Sequence, residues 1–199
     1  MKKALLVSMA LFITIPFYSI AQDIPQKVHE AGINFSSLNN FGIRYKCGTD
    51  NTLLRLTLLS INGNNTATKL DSVTNNQSSM GFGFNIGFEK RKMINEKFDF
   101  YYGLDLLSTY TYNKTVNNQF KTSSENSSFS PGLGFVLGLR YKINSAFNIT
   151  AEVIPSVKYS SGKITNTNNS VNSTQTTSGY SFGLLNSNAS LTLAYRFGK

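Results

Sequence analysis

The chain has 199 residues with 19 Lys and Arg against 10 Asp and Glu, a formal charge of +9, yet only 15% of its residues are charged. Soluble domains carry about 25%, so a water-facing globule would be short of surface charge. The basic excess is scattered, with no run longer than Lys90-Arg91-Lys92, which argues against nucleic acid as a partner and fits an anionic lipopolysaccharide surface.

Lys2 and Lys3 precede an apolar run from Ala4 to about Phe17 and then Ser19-Ile20-Ala21. A positive start, a short apolar stretch and a small-x-small site predict a secretory signal peptide over 1–21, cleaved after Ala21, and one mature domain over 22–199. The run is too short for an anchor, and Pro16 interrupts its end. Nothing in the mature chain approaches about 18 consecutive apolar residues, so any membrane crossing has to be made by strands.

Period-2 alternation recurs along the mature chain, placing successive side chains on opposite faces of a strand. The first runs are Ala31, Ile33, Phe35; then Phe41, Ile43, Tyr45, Cys47; then Leu54, Leu56, Leu58. Met80, Phe82, Phe84, Ile86 and Phe88 follow, alternating with Gly81, Gly83, Asn85, Gly87 and Glu89. The clearest run sets Phe98, Phe100, Tyr102, Leu104 and Leu106 against Asp99, Tyr101, Gly103, Asp105 and Leu107. Leu133 to Ile143, Phe147 to Tyr159 and Leu191 to Phe197 complete the set. Tyr180, Phe182 and Leu184 have the opposite parity to the last run, which predicts a β-bulge within Leu185 to Asn188. Eight strands are expected, near 28–37, 41–48, 52–61, 79–90, 98–112, 128–143, 147–161 and 180–197.

The connections alternate in length. Asn62-Gly63-Asn64-Asn65-Thr66, Asn113 to Asn126 and Gly162 to Ser178 read as long polar loops on one rim. Gly48 to Asn51, Arg91 to Lys97 and Asn144-Ser145-Ala146 read as tight links on the other, and only the first hairpin, at Leu38-Asn39-Asn40, departs by being short on the long-loop side. Short periplasmic turns and long outer loops are the pattern of an up-and-down antiparallel transmembrane β-barrel of eight strands.

Alternation alone leaves a soluble lipocalin-like barrel open, and the second face decides against it. A water-facing exterior would be dense in charge. Here that face mixes glycines with isolated charges of both signs: Arg44, Lys46, Arg55, Glu89, Asp105, Arg140, Lys142, Glu152, Lys158 and Arg196. These ten are predicted to line the lumen as a paired polar network that fills and stiffens the barrel, because an isolated buried charge costs several kcal/mol. Eight strands leave room for side chains or one small ligand, so no aqueous pore is promised. The apolar face then meets lipid, with Tyr45, Tyr102, Tyr110, Tyr112, Tyr141, Tyr159 and Tyr195 as candidates for the interfacial girdles of a chain without Trp. Cys47, the lone cysteine, cannot form an internal disulfide and reads as a small apolar packing residue.

Catalytic chemistry finds no support. His29 is the only histidine and has no evident Ser partner, one His and one Cys far apart match no metal-ligand spacing, and Gly81-Phe82-Gly83 lies within a strand rather than before a helix. No catalytic residue, metal or cofactor is expected.

The Phe82-Gly83-Phe84 and Gly138-Leu139-Arg140-Tyr141 texts, the signal ending Ser19-Ile20-Ala21-Gln22 and the closing Leu191 to Phe197 resemble small outer-membrane β-barrel proteins of Gram-negative bacteria, the outer membrane protein beta-barrel domain type with its PorT-like members. The resemblance implies an outer-membrane location and insertion by the barrel-assembly machinery, which would read the last strand as its signal. Gly198 and Lys199 after Phe197 depart from a terminal aromatic. The long neutral Asn/Ser/Thr loops, hydrated and displayed outside, point to a structural or surface-interaction role, and the chain is expected to be a monomer in contact with outer-membrane lipid and lipopolysaccharide. A narrow channel or ligand-binding barrel is the alternative, as is an accessory of an envelope or secretion machine.

Overall fold

The computed structural model describes residues 27–37, 40–70, 73–169, 171–183 and 189–198. Signal cleavage and the bulge expected within Leu185 to Asn188 lie outside them. The chain is all β. Ten segments follow in order: β1 (Val28–Ser37), β2 (Asn40–Gly48), β3 (Thr52–Leu70), β4 (Val73–Met93), β5 (Phe98–Asn117), β6 (Thr122–Lys142), β7 (Phe147–Val153), β8 (Ser156–Asn168), β9 (Val171–Gly183) and β10 (Ala189–Phe197).

They make eight walls. β7 and β8 continue one another against β6 in a single register, Leu137 facing Val153 and Gly134 facing Ser156. The ladder is interrupted at Ile154-Pro155 because Phe135 N–H donates to Pro155 O at 2.9 Å and proline has no N–H to return the bond. β9 and β10 are the two parts of the last wall, pairing with β8 and β7 respectively. Every neighbour pairing is antiparallel, and the circuit closes because β1 pairs with β10 as well as β2, and β5 with β6 as well as β4.

The register gives the barrel its shape. From Gly32 one row runs through Arg44, Thr57 and Asn85 to Leu107 on β5. In the other direction it runs through Ala194, Asn148 and Lys142 to Lys97, whose carbonyl accepts from Lys142 N–H. The row therefore meets the β5 chain at positions 107 and 97, a stagger of ten residues. With eight strands, that stagger tilts them by about 40° and sets a backbone radius of about 8 Å. Such a lumen is filled by side chains.

Outward positions are apolar and exposed, among them Ile33, Ile43, Leu56, Phe84, Leu104, Phe135 and Leu193. Ring pairs mark two levels of this surface. Phe98 with Tyr141 (5.0 Å) and Phe147 with Tyr195 (5.2 Å) lie near the short turns, and Phe82 with Tyr110 (5.6 Å) and Tyr159 with Tyr180 (4.9 Å) lie near the opposite end. From Phe98 to Tyr110 a tilted strand rises about 30 Å, the thickness of a bilayer's hydrocarbon core. Two of the short turns share one device: Asn95 Oδ1 accepts from Lys97 and Phe98 N–H (3.0 and 2.9 Å), and Asn144 Oδ1 from Ala146 and Phe147 N–H (2.8 and 2.7 Å).

The Asn/Ser/Thr stretches correct the sequence reading. They are strand, not loop: β3 and β4 pair up to Leu70 with Val73, β5 and β6 to Asn117 with Thr122, and β8 and β9 to Asn168 with Val171. Only short links remain at their tips. Both faces of these extensions meet water, so no hydrophobic alternation announces them, while their backbone groups pair across the ladder.

Candidate functional site

The lumen divides into a densely charged lower part and an upper part in which Lys158 is the one charged side chain among the described residues. Five acids, Glu30, Glu89, Asp99, Asp105 and Glu152, and five bases, Arg44, Lys46, Arg55, Arg91 and Arg140, are buried among the described residues, so the enclosed charge balances. Glu152 accepts from Arg44 Nη2 at 2.5 Å, Arg55 Nη2 at 2.9 and 3.0 Å, Tyr101 Oη at 3.0 Å and Ser190 Oγ at 3.2 Å. Glu89 takes Lys46 Nζ at 2.8 Å, Arg91 Nε at 2.8 Å and Arg55 Nη1 at 3.3 Å. Arg91 also forks onto both oxygens of Glu30 at 2.7 Å, and Glu30 accepts Arg140 Nη1 at 3.0 Å. Arg140 Nε reaches Asp99 Oδ2 at 2.7 Å, and Asp99 Oδ1 lies 3.0 Å from Lys142 Nζ. These contacts join strands on every side of the barrel into one cross-braced layer. Bidentate guanidinium–carboxylate pairs also hold both groups in fixed orientation.

One carboxylate is less well served. Asp105 Oδ1 lies 3.2 Å from Arg55 Nε, close enough for an ion pair, yet the groups are misaligned and neither Asp105 oxygen receives a hydrogen bond. The pair still attracts, because charge attraction tolerates poor angles where a hydrogen bond does not. Asn148 Oδ1 and Thr150 Oγ1 are also buried without a donor.

Of the ten residues expected to line the lumen, Arg44, Lys46, Arg55, Glu89, Asp105, Arg140 and Glu152 are buried in this layer and Lys142 closes its lower edge, its side chain 29% exposed. Two need correction. Arg196 pairs with Asp50 at 2.6 Å on the lower rim, both partly exposed, because β10 ends there. Lys158 forms no ion pair with a described carboxylate and stands above the layer, beside Gly132. Glu30, Arg91 and Asp99 join the layer without having been expected there. In the sequence Arg91 reads as part of a short basic link, but β4 runs on to Met93 and carries it inside; Asp99 already alternates with Phe98 and Phe100, a signal that could have found it.

His29 Nδ1 lies 2.7 Å from Tyr45 Oη and its ring stacks on Phe197 at 5.6 Å, an arrangement of the lower girdle rather than of a nucleophile and base. No group of three or more His, Cys, Asp or Glu able to hold a metal occurs among the described residues.

Above the charged layer the inward positions other than Lys158 turn neutral and are mostly small: Gly83 and Asn85 on β4, Thr109 on β5, Ser128, Ser130 and Gly132 on β6, Ser160 and Gly162 on β8. Higher still, the extensions form an open six-strand sheet, β3-β4-β5-β6-β8-β9. Its inward face carries Asn64, Thr66, Ser79, Asn113, Thr115, Ser124, Asn126 and Asn166, and bonds such as Ser124 Oγ to Asn166 Oδ1 (2.7 Å) run along that face. Its charged residues Lys69, Lys114, Glu125 and Lys163 all stand on the outward face, where Lys114 and Glu125 pair at 2.6 Å. That hydrogen bond and the carboxylate's charge raise the Lys114 pKa above the usual lysine value.

β1 and β2 do not rise with the others. Their hairpin turns between Ser37 and Asn40, so β3 above Leu58 and the whole of β9 pair on one side only among the described residues. Among the described residues this leaves a notch two strands wide, roughly 14 Å between flanking strands.

A closed antiparallel barrel of eight staggered strands, apolar outside and charge-braced inside, has one setting. The fold is that of an outer-membrane β-barrel. A major outer membrane protein from Thermus thermophilus is similar to it over 86% of this chain and 99% of that one, with a TM-score of 0.52 at 10% identity. The ferric yersiniabactin uptake receptor FyuA from Yersinia pestis matches 78% of this chain and 25% of its own, with a TM-score of 0.50 at 14% identity. Ail, the attachment invasion locus protein of Yersinia pestis, aligns over 87% and 100% with a TM-score of 0.37 at 12% identity. No protein-family model matches the chain, and no curated protein sequence matches it. The likeness therefore carries fold, and the narrower PorT-like resemblance gains nothing from it.

Proposed function

We propose that this outer-membrane barrel is a non-catalytic display scaffold: a braced, non-conducting wall that holds an extracellular β-sheet against other molecules. The observation that carries it is the pairing of a filled lumen with a tall open sheet. Glu152, Glu89 and Glu30 with their arginines cross the lumen from side to side, which supports a braced wall over a conduit. The sheet above is long, uncharged on its inward face and unpaired along β3 and β9. An unpaired edge offers a row of N–H and C=O groups to an extended polypeptide, and along β9 no charge or proline blocks it. Among the described residues the extensions and their links carry Lys69, Lys114, Lys121 and Lys163 against Glu125, a positive balance that suits neighbouring lipopolysaccharide, and the barrel closes within one chain.

Two measurements test the reading together. Purified protein in planar bilayers should give no discrete conductance steps, and regular steps would remove the display scaffold in favour of a channel. On intact cells, a photo-crosslinking residue at Thr174 on the β9 edge should capture polypeptide neighbours that the same probe at Leu104 on the lipid face does not. Equal capture at both positions would count against the edge.

A further inference from the structure

Lys158 is left out of the charged layer although it faces the same enclosed space. Its stem lies across Gly132: a Cβ added there would come within 2.7 Å of Lys158 Cγ, so glycine makes the space in which the side chain is laid down. The row through it runs Leu107, Gly132, Lys158, Ser181, and the next row up carries Thr109, Ser130 and Ser160. Ser130 Oγ and Ser160 Oγ are 2.9 Å apart, either able to donate. Among the described residues this part of the lumen holds one ammonium, several hydroxyls and no acid. The lower layer, by contrast, pairs every base with a carboxylate. An ammonium half-buried among hydroxyls and without a protein counter-charge attracts an anion, and the hydroxyls around it add neutral donors to the anion's other oxygens.

We propose that this outer chamber binds a phosphate ester, with Lys158 as its counter-charge and Ser130, Ser160 and Thr109 as additional donors. A tetrahedral group with several acceptor oxygens suits a point charge flanked by hydroxyls on adjacent strands better than a planar group that needs a fork. Two sources share that chemistry. A soluble phosphate ester can enter from the open top. The phosphate of an outer-leaflet lipid would enter sideways, through the gap that the described residues leave above the β1–β2 hairpin, roughly 5–10 Å below the Tyr110–Tyr159–Tyr180 level.

The test uses the full mature chain refolded in dodecyl maltoside, which carries no phosphate, with its lysines labelled as 13C-dimethyl groups for NMR. Inorganic phosphate is titrated first and lipid A in a second sample, and K158M assigns the Lys158 signal. A saturable shift of that signal with inorganic phosphate identifies a site open to free anions, and a shift with lipid A alone identifies entry of a lipid headgroup through the notch. By calorimetry K158M should weaken the bound probe by about tenfold or more, while K97M, in the short turn at the opposite end of the barrel, leaves it unchanged. Faster migration of unboiled K158M on a denaturing gel shows that the variant is folded. A Lys158 signal that moves with neither probe in the wild-type protein overturns the proposal, as does unaltered affinity in folded K158M.

Discussion

Replacing Glu152 with Gln should unbalance the charged layer while keeping its shape. The carboxylate accepts five hydrogen bonds from Arg44, Arg55, Tyr101 and Ser190. Arg55 would still have Glu89 at 3.3 Å and Asp105 at 3.2 Å, but Arg44 would keep only the hydroxyls of Thr57 at 3.0 Å and Thr192 at 2.9 Å. A buried guanidinium would thus be left without a carboxylate, and the new amide N–H2 would point donors at donors. Removing one partner of a buried pair costs about 3–5 kcal/mol, a hundredfold to several thousandfold in the folding equilibrium. Replacing both partners by uncharged groups of similar volume is close to neutral. The double variant Glu152→Gln, Arg44→Met should therefore recover at least about half of the loss. The assay is urea unfolding of barrels refolded into lipid vesicles, read by the fraction that keeps folded gel mobility, since the chain has no Trp to report by fluorescence. Glu152→Gln within about 1 kcal/mol of wild type, or a double variant no more stable than the single one, would refute the view that this layer braces the wall.

Other substitutions probe separate parts of the argument. Ile86→Arg puts a charge on the exposed lipid face about midway between the two aromatic levels and should cost about 2–4 kcal/mol in the same assay, whereas Gly83→Arg, pointing inward, should cost less; equal costs would mean the two faces are misassigned. Gly103→Ala should destabilise by about 1–3 kcal/mol, because its Cβ would sit 2.0 Å from the Phe88 carbonyl oxygen. Gly179→Ala, with nothing within 4 Å, should be silent. Lys114→Ala removes a bridge that is 40% exposed on both sides, so solvent and salt screen it and the urea midpoint should not move; a clear drop would show the extension to be part of the cooperative unit.

Much of the architecture was legible because lipid and lumen impose opposite demands on alternate residues. Phe98 to Leu107 and Met80 to Glu89 could satisfy both only as strands of a barrel with greasy outside and polar inside, and the structure sets Phe84 and Leu104 outward and Glu89 and Asp105 inward. The extensions were illegible for the converse reason. Between Asn62 and Thr68, or Val171 and Gly179, both faces are wet, so neither selects one residue type over another, and strand character shows only when a partner's backbone is beside it. Charge on the polar face was equally plain in the sequence, but its pairing was not. Glu152 meets Arg44 and Arg55 across separations of 108 and 97 residues, and Lys158 meets no described carboxylate, although all of them occupy the same parity. Alternation decides which side of the wall a residue takes. The ten-residue stagger decides which residues share a level, and that level, set by closure of the whole ring, separates a braced layer from an unpaired cation above it.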